Sequence, residues 1–135
     1  MAERRFTGGC LCWANRFEAV GEPLYTGHCH CADCRKASGG GFIPFMGFAA
    51  SAVTFHGEAR QYRCPSLRGI SVRNFCPTCG AWCSAATSVS TTSTRSTPAL
   101  DDPSLFEPKI AIFERDRPCW VALPPGVTTF ETMPG

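Results

Sequence analysis

Cys29-His30-Cys31-Ala32-Asp33-Cys34 packs three thiols into six residues, and His28 and His30 flank the first of them. Soft ligands this close together suit a zinc ion, which favours thiolates in tetrahedral geometry. A structural zinc takes four protein ligands, whereas a catalytic one keeps a position for water or substrate. Three thiols are one short of closure. The rest of the chain therefore decides whether this stretch is a staple or an open site.

At 135 residues the chain is read as one domain over 1–135, long enough to bury an ordinary core. A net charge of +2 is too small to point to nucleic acid. No apolar run approaches the ~20 residues of a membrane span. The start, Met1-Ala2-Glu3-Arg4-Arg5-Phe6-Thr7, has neither the apolar stretch nor the cleavage site of a secretory signal, so a cytoplasmic location is expected. Ten cysteines would also suit a secreted disulfide scaffold. Their spacings, Cys10-x-Cys12, Cys29-x-Cys31-x-x-Cys34 and Cys76-x-x-Cys79, are those of metal knuckles instead. Cys64, Cys83 and Cys119 stand alone, and buried free thiols are the plain expectation for them.

Short runs of mixed alternation, bounded by Gly and Pro, predict an all-β protein with little helix. Gly8-Gly9 reads as a turn within a first strand, Phe6 to Val20, on which Cys10 and Cys12 share a face. Leu24 to Cys31 reads as a second strand. Its alternation puts Cys29 and Cys31 on one face and His28 and His30, as hydrogen-bonded structural residues, on the other. Arg35 to Ser38 reads as one helical turn before Gly39-Gly40-Gly41. Phe42 to Phe48 reads as a buried strand interrupted by Pro44, used for core packing. Further strands are expected at Ala52–Gly57, Glu58–Arg63, Ile70–Phe75, Lys109–Phe113 and Trp120–Leu123. The Ser/Thr-rich run Ser84–Thr97 reads either as a linker or, through Thr87, Val89 and Thr91, as an edge strand. The tail Pro124–Gly135 reads as irregular, anchored by Phe130.

Cys76-Pro77-Thr78-Cys79-Gly80 is the most specific local signal. A C-x-x-C-G turn points both sulfurs and several backbone N–H groups at one ion, and the glycine relieves the backbone just beyond. A redox pair would need a helix starting at the first cysteine, which Gly80 and the turn residues oppose. Two pairs complete one four-ligand zinc site, Cys10 and Cys12 with Cys76 and Cys79. That leaves Cys29, Cys31 and Cys34 as a second site with an open position. Spacing also permits Cys76 and Cys79 to join the central cluster, or Cys64 or Cys83 to close it.

Gly8-Gly9-Cys10-Leu11-Cys12, His28-Cys29-His30-Cys31-Ala32-Asp33-Cys34-Arg35-Lys36-Ala37-Ser38-Gly39, Phe75-Cys76-Pro77-Thr78-Cys79-Gly80 and Leu100-Asp101-Asp102-Pro103-Ser104 together resemble the glutathione-dependent formaldehyde-activating enzyme family, which includes centromere protein V. The resemblance spans nearly the whole chain. It implies a β-tent fold of small packed antiparallel sheets and two zinc ions per chain. It also implies a structural zinc on Cys10, Cys12, Cys76 and Cys79 and a catalytic-type zinc on Cys29, Cys31 and Cys34. The chain departs from the family pattern at Trp13, where glycine is common, in Lys109–Phe113, which lacks the histidine many members carry near Ala111, and in its Ser/Thr run.

What the resemblance implies about function is a carbon–sulfur lyase that joins glutathione and formaldehyde. An open zinc position suits a thiol, whose pKa the metal lowers. Arg35, Lys36 or the Gly39–Gly41 turn are candidates for glutathione carboxylates. The alternatives are a non-enzymatic zinc-stabilised binding module and a sensor using Cys64, Cys83 or Cys119.

Overall fold

A computed structural model describes residues 3–66, 69–87, 90–96 and 99–134. Met1, Ala2, Val89, Thr97, Pro98 and Gly135, which the sequence reading touches, lie outside them. The strands are β1 (Arg5–Gly9), β2 (Arg16–Val20), β3 (Tyr25–Cys29), β4 (Ile43–Ala49), β5 (Val53–His56) and β6 (Arg60–Ser66). They continue with β7 (Gly69–Phe75), β8 (Trp82–Thr87), β9 (Ser90–Ser96), β10 (Ile110–Ile112) and β11 (Thr128–Thr129). One α-helix is found among the described residues, α1 (Ala32–Ser38). The all-β class holds.

The strands form a three-stranded sheet, β1-β2-β5, and an eight-stranded one, β11-β10-β3-β4-β9-β8-β7-β6. Pairing is antiparallel except at β3–β10 and β10–β11, which are parallel. One apolar core joins the two sheets through Phe6, Phe17, Ala19, Met46, Phe48 and Leu100. A second holds Ile43, Phe45 and Ile112 together with Cys29 and Cys34, and Trp82, Phe113 and Phe130 pack against it. The thiols of the central cluster are thus part of a core wall. Pro44 lies inside β4, opposite His28 on β3, and among the described residues β9 pairs with Met46–Ala49 of that strand.

Several elements differ from the sequence reading. Gly8 and Gly9 lie in β1 and make no turn. A Cβ at Gly8 would collide with the Ala99 carbonyl oxygen and the Phe17 ring, and Gly9 N donates to that carbonyl at 3.0 Å. Glycine here admits a crossing chain. The strand expected over Phe6–Val20 breaks at Cys10, whose N–H bonds the Asn15 carbonyl at 3.0 Å across a tight turn. Cys10 and Cys12 therefore sit on a knuckle, not on a strand face. The strand expected to reach Cys31 stops at Cys29, and the helix expected to begin at Arg35 begins at Ala32. The described residues of the run Ser84–Thr97 are strand, as one of the two readings has it, but not at an edge, since β8 and β9 pair with each other and β9 lies between β8 and β4. The strand expected over Trp120–Leu123 is absent: Cys119 and Trp120 form a turn closed by Val121 N on Pro118 O at 3.0 Å and the chain beyond is irregular, with prolines on both sides withholding ladder donors. The expected strand Lys109–Phe113 shortens to β10. The tail does contain a short strand, β11, and Phe130 N bonds the Ala111 carbonyl at 2.9 Å.

Candidate functional site

The β1–β2 knuckle and the turn between β7 and β8 bring Cys10, Cys12, Cys76 and Cys79 together, with all four sulfurs within 4.8 Å of one another. Cys12 Sγ lies 3.7 Å from both Cys10 Sγ and Cys76 Sγ. Four thiolates at ~2.3 Å around a tetrahedral zinc stand ~3.8 Å apart, so the spacing fits that ion. Backbone N–H groups point at the sulfurs, from Asn15 to Cys10 at 3.2 Å and from Cys79 to Cys76 at 3.5 Å. The Cys79 N–H is the main cause that brings the Cys76 thiol down to about 6. Cys83 is adjacent to this group but not part of it, and burial pushes its thiol up to about 11.

Cys29, Cys31 and Cys34 form a separate group, also within 4.8 Å. Cys29 ends β3, Cys31 caps α1, and Cys34 sits in the first turn of that helix. The Cys31 sulfur accepts the Cys34 N–H at 3.3 Å, the cap interaction that closes the turn. Contacts with Cys29, then Cys34, hold the Cys31 thiol down to about 2, and contact with Cys31 pushes Cys29 well above the thiol range. Three thiols sharing so little space cannot all ionise without a cation among them. Among the described residues no fourth cysteine, histidine or carboxylate joins the group, and Cys64 and Cys83 stay outside it. Cys29 and Cys34 are buried and Cys31 is partly exposed, so approach is from the Cys31 side.

His28 and His30 are not in either group. Their rings stand on Phe42, with centroids at 4.0 and 5.6 Å. His28 Nδ1 and both His30 ring nitrogens are buried without a hydrogen-bond partner among the described residues; the His28 ring is stacked on Phe42 and the His30 ring is tilted against it. Burial, with the neighbouring His30 second, lowers the His28 pKa to about 4.

One functional candidate was invisible in the sequence. Arg73 Nη2 donates to Cys34 Sγ at 3.8 Å, and its guanidinium lies 5.9 Å from the centre of the Trp82 ring. The register explains the approach. Ser71, Arg73 and Phe75 share one face of β7, and Tyr62 and Cys64 lie opposite them on β6. A bulge in the β7–β8 pairing skips Cys83, so Trp82 pairs with Phe75 and stands on the Arg73 side. The two basic residues that follow Cys34 are open to either reading, a partner for a ligand carboxylate or plain surface charge. Arg35 Nε donates to the His30 carbonyl at 3.2 Å, fixing the bend between β3 and α1, and Lys36 is exposed. A cavity of about 330 Å³, lined by Arg16, Phe17, Phe55, Asn74 and Trp82, adjoins Cys10 and none of the three clustered thiols.

No curated protein matches the chain. Among solved structures, a Rhodobacter sphaeroides protein determined as a structural-genomics target is similar, with a TM-score of 0.58 and 19% identity over 76% of this chain and 96% of its own. At that identity the likeness concerns the fold. The family model described as glutathione-dependent formaldehyde-activating enzyme matches residues 5–116, which include both thiol groups, Arg73 and the Asp101–Ser104 turn. The chain belongs to the glutathione-dependent formaldehyde-activating enzyme family.

Proposed function

We propose that the protein is a zinc-dependent carbon–sulfur lyase, acting on glutathione and formaldehyde or forming a related small-thiol adduct. The observation that carries this reading is the inequality of the two thiol groups, four against three, with the group of three partly open at Cys31. Cys10, Cys12, Cys76 and Cys79 would hold a structural zinc and tie the β1–β2 hairpin to the β7–β8 hairpin. Cys29, Cys31 and Cys34 would hold a second ion. That ion would supply a fourth position at which an incoming thiol is stabilised as thiolate, or an aldehyde oxygen is polarised.

In the reaction the glutathione S–H gives up its proton, a sulfur–carbon bond forms to formaldehyde, and the carbonyl oxygen takes a proton to become S-hydroxymethylglutathione. The reverse step releases both partners. The chain's own residues contribute binding and orientation. The core behind Cys29 and Cys34 keeps water off their sulfurs, the Cys34 N–H orients Cys31, and Arg73 places a positive charge beside Cys34. The proposal includes a single domain in the cytoplasm, with a small thiol as partner and neither nucleic acid nor membrane. No helix among the described residues is long and apolar enough to cross a membrane.

Thiols add to formaldehyde unaided, so the test is a rate. Exchange spectroscopy on glutathione and formaldehyde should show the adduct forming and dissociating faster with the zinc-loaded protein, and Cys31→Ser should abolish the gain. Two ions bound per chain with no acceleration at all would overturn the lyase reading and leave a zinc-stabilised binding module.

A further inference from the structure

We infer that Arg73 holds a carboxylate of the ligand at the three-thiol group, so that this site takes thiols carrying an acid function. The inference rests on the thiol-binding function proposed above. Arg73 is half-buried, and none of the ion pairs among the described residues involves it. A guanidinium in that position, taken partly out of water, is costly unless anions face it. Its neighbours are sulfurs, Cys34 at 3.8 Å and the Cys64 thiol, together with the Trp82 ring at 5.9 Å. Arginine presents five N–H donors in a planar fork that matches a carboxylate. Two thiol contacts leave part of that fork unused.

Distance makes the assignment specific. A ligand sulfur completing a tetrahedron with Cys29, Cys31 and Cys34 would stand ~3.8 Å from the Cys34 sulfur. An acid group three bonds from that sulfur, as in 3-mercaptopropionate, then falls within reach of the guanidinium that already touches Cys34, whereas the carboxylates of glutathione lie farther along the peptide and reach it by folding back over the site. The other basic side chains nearby are engaged or remote, since Arg35 is bonded to the His30 carbonyl and Lys36 points to solvent. Tyr62 lies directly opposite Arg73 on β6 and is 61% exposed. If Arg73 only balanced thiolate charge, its loss would weaken metal binding without discriminating among ligands.

The test titrates cobalt-loaded protein with 3-mercaptopropionate and with its uncharged amide, reading the cobalt absorption bands. In the wild type the acid should bind about tenfold more tightly than the amide, the size of a charge-assisted contact. Arg73→Gln should bring the ratio to about one, and Arg73→Lys, which keeps charge without the fork, should fall between. A ratio near one in the wild type, or an unchanged ratio in Arg73→Gln, would overturn the inference while thiol binding stands. If neither thiol alters the wild-type spectrum, the thiol-binding function itself fails. Should Arg73→Gln not retain cobalt, Arg73→Lys and the wild-type ratio decide.

Discussion

Trp13 and Gly80 hold the same left-handed backbone, φ 70° and 76°, each one residue beyond the second cysteine of a half of the four-thiol group. The two halves are one knuckle built twice. Glycine adopts that conformation freely, whereas an L-residue with a Cβ loses roughly 1–2 kcal/mol there. Trp13 recovers part of this by lying 4.4 Å under the Arg16 guanidinium, a contact of roughly 0.5–1 kcal/mol at an exposed site. Trp13→Ala keeps the strain and drops the contact, so it should be the least stable of the set. Trp13→Gly should exceed Trp13→Ala by about 1 kcal/mol in urea denaturation. Nothing lies within 4 Å of a Cβ at Gly80, so Gly80→Ala isolates the backbone cost and should lose about the same amount. Equal midpoints for Trp13→Ala and Trp13→Gly would show that the left-handed turn carries no strain.

The two thiol groups should part with metal unequally. The group of four gathers sulfurs 64 residues apart in sequence and fixes both hairpins, so its ion is coupled to folding. The group of three lies within one turn of α1 and is partly open. Chelator titration should remove one ion with little change in the thermal midpoint and the second with loss of the cooperative transition. Cys31→Ser should lower the metal content from two to one, while Cys76→Ser should fail to fold cooperatively. Loss of both ions in a single step, with one unfolding event, would contradict the division of roles.

How much of this was readable in the chain follows from what kind of residue carries it. The spacings Cys10-x-Cys12 and Cys76-x-x-Cys79 announce knuckles because two thiols so close have few other uses, and both groups could be named before any coordinates. Strand alternation puts Cys29 and Cys31 on one face, but β3 ends at Cys29, and it is the helix cap that returns Cys31 to its neighbours. Arg73 was unreadable because its access to Cys34 depends on the register of β6, β7 and β8 and on a bulge at Cys83 that turns Trp82 to the same face. The strand β9 was half legible, since β-branched residues such as Thr91 permit a strand there, but a Ser/Thr composition without hydrophobic alternation gives no sign that its backbone pairs on both sides.

His28 should impose a pH dependence on stability. Its ring is 8% exposed, stacked on Phe42 and facing Phe106 at 6.0 Å, and its pKa falls from 6.5 to about 4. Between those values the unfolded chain binds a proton that the folded chain refuses. Stability from this group is therefore constant above pH ~6.5 and declines as the pH drops towards 4, by about 1–3 kcal/mol. His28→Phe retains the stack and removes the proton, so the wild-type and variant stability curves should run parallel above pH ~6.5 and separate as the pH falls towards 4, the variant losing less. Both are to be measured by urea denaturation in excess zinc, where the difference between the curves cancels metal loss. Parallel curves over pH 4 to 6.5 would assign the acid sensitivity to other groups.

Alkylation of the ten cysteines should report the sharing of thiols directly. With metal bound as proposed, the seven thiols of the two groups would be held as ligands, which leaves Cys64, Cys83 and Cys119 to react. Thiolate fraction and access set the rate. Cys119 is exposed and should be modified first by iodoacetamide near pH 7.5. Cys64 is partly covered and should follow. Cys83, part-buried and with its thiol raised to about 11, should be the slowest of the three by an order of magnitude or more. Peptide mapping after timed alkylation reads the order, and chelator should then release Cys29, Cys31 and Cys34 before Cys10, Cys12, Cys76 and Cys79. Early modification of Cys31 in the fully loaded protein would mean that it is not a ligand, and the three-thiol group would lose its claim to a second ion.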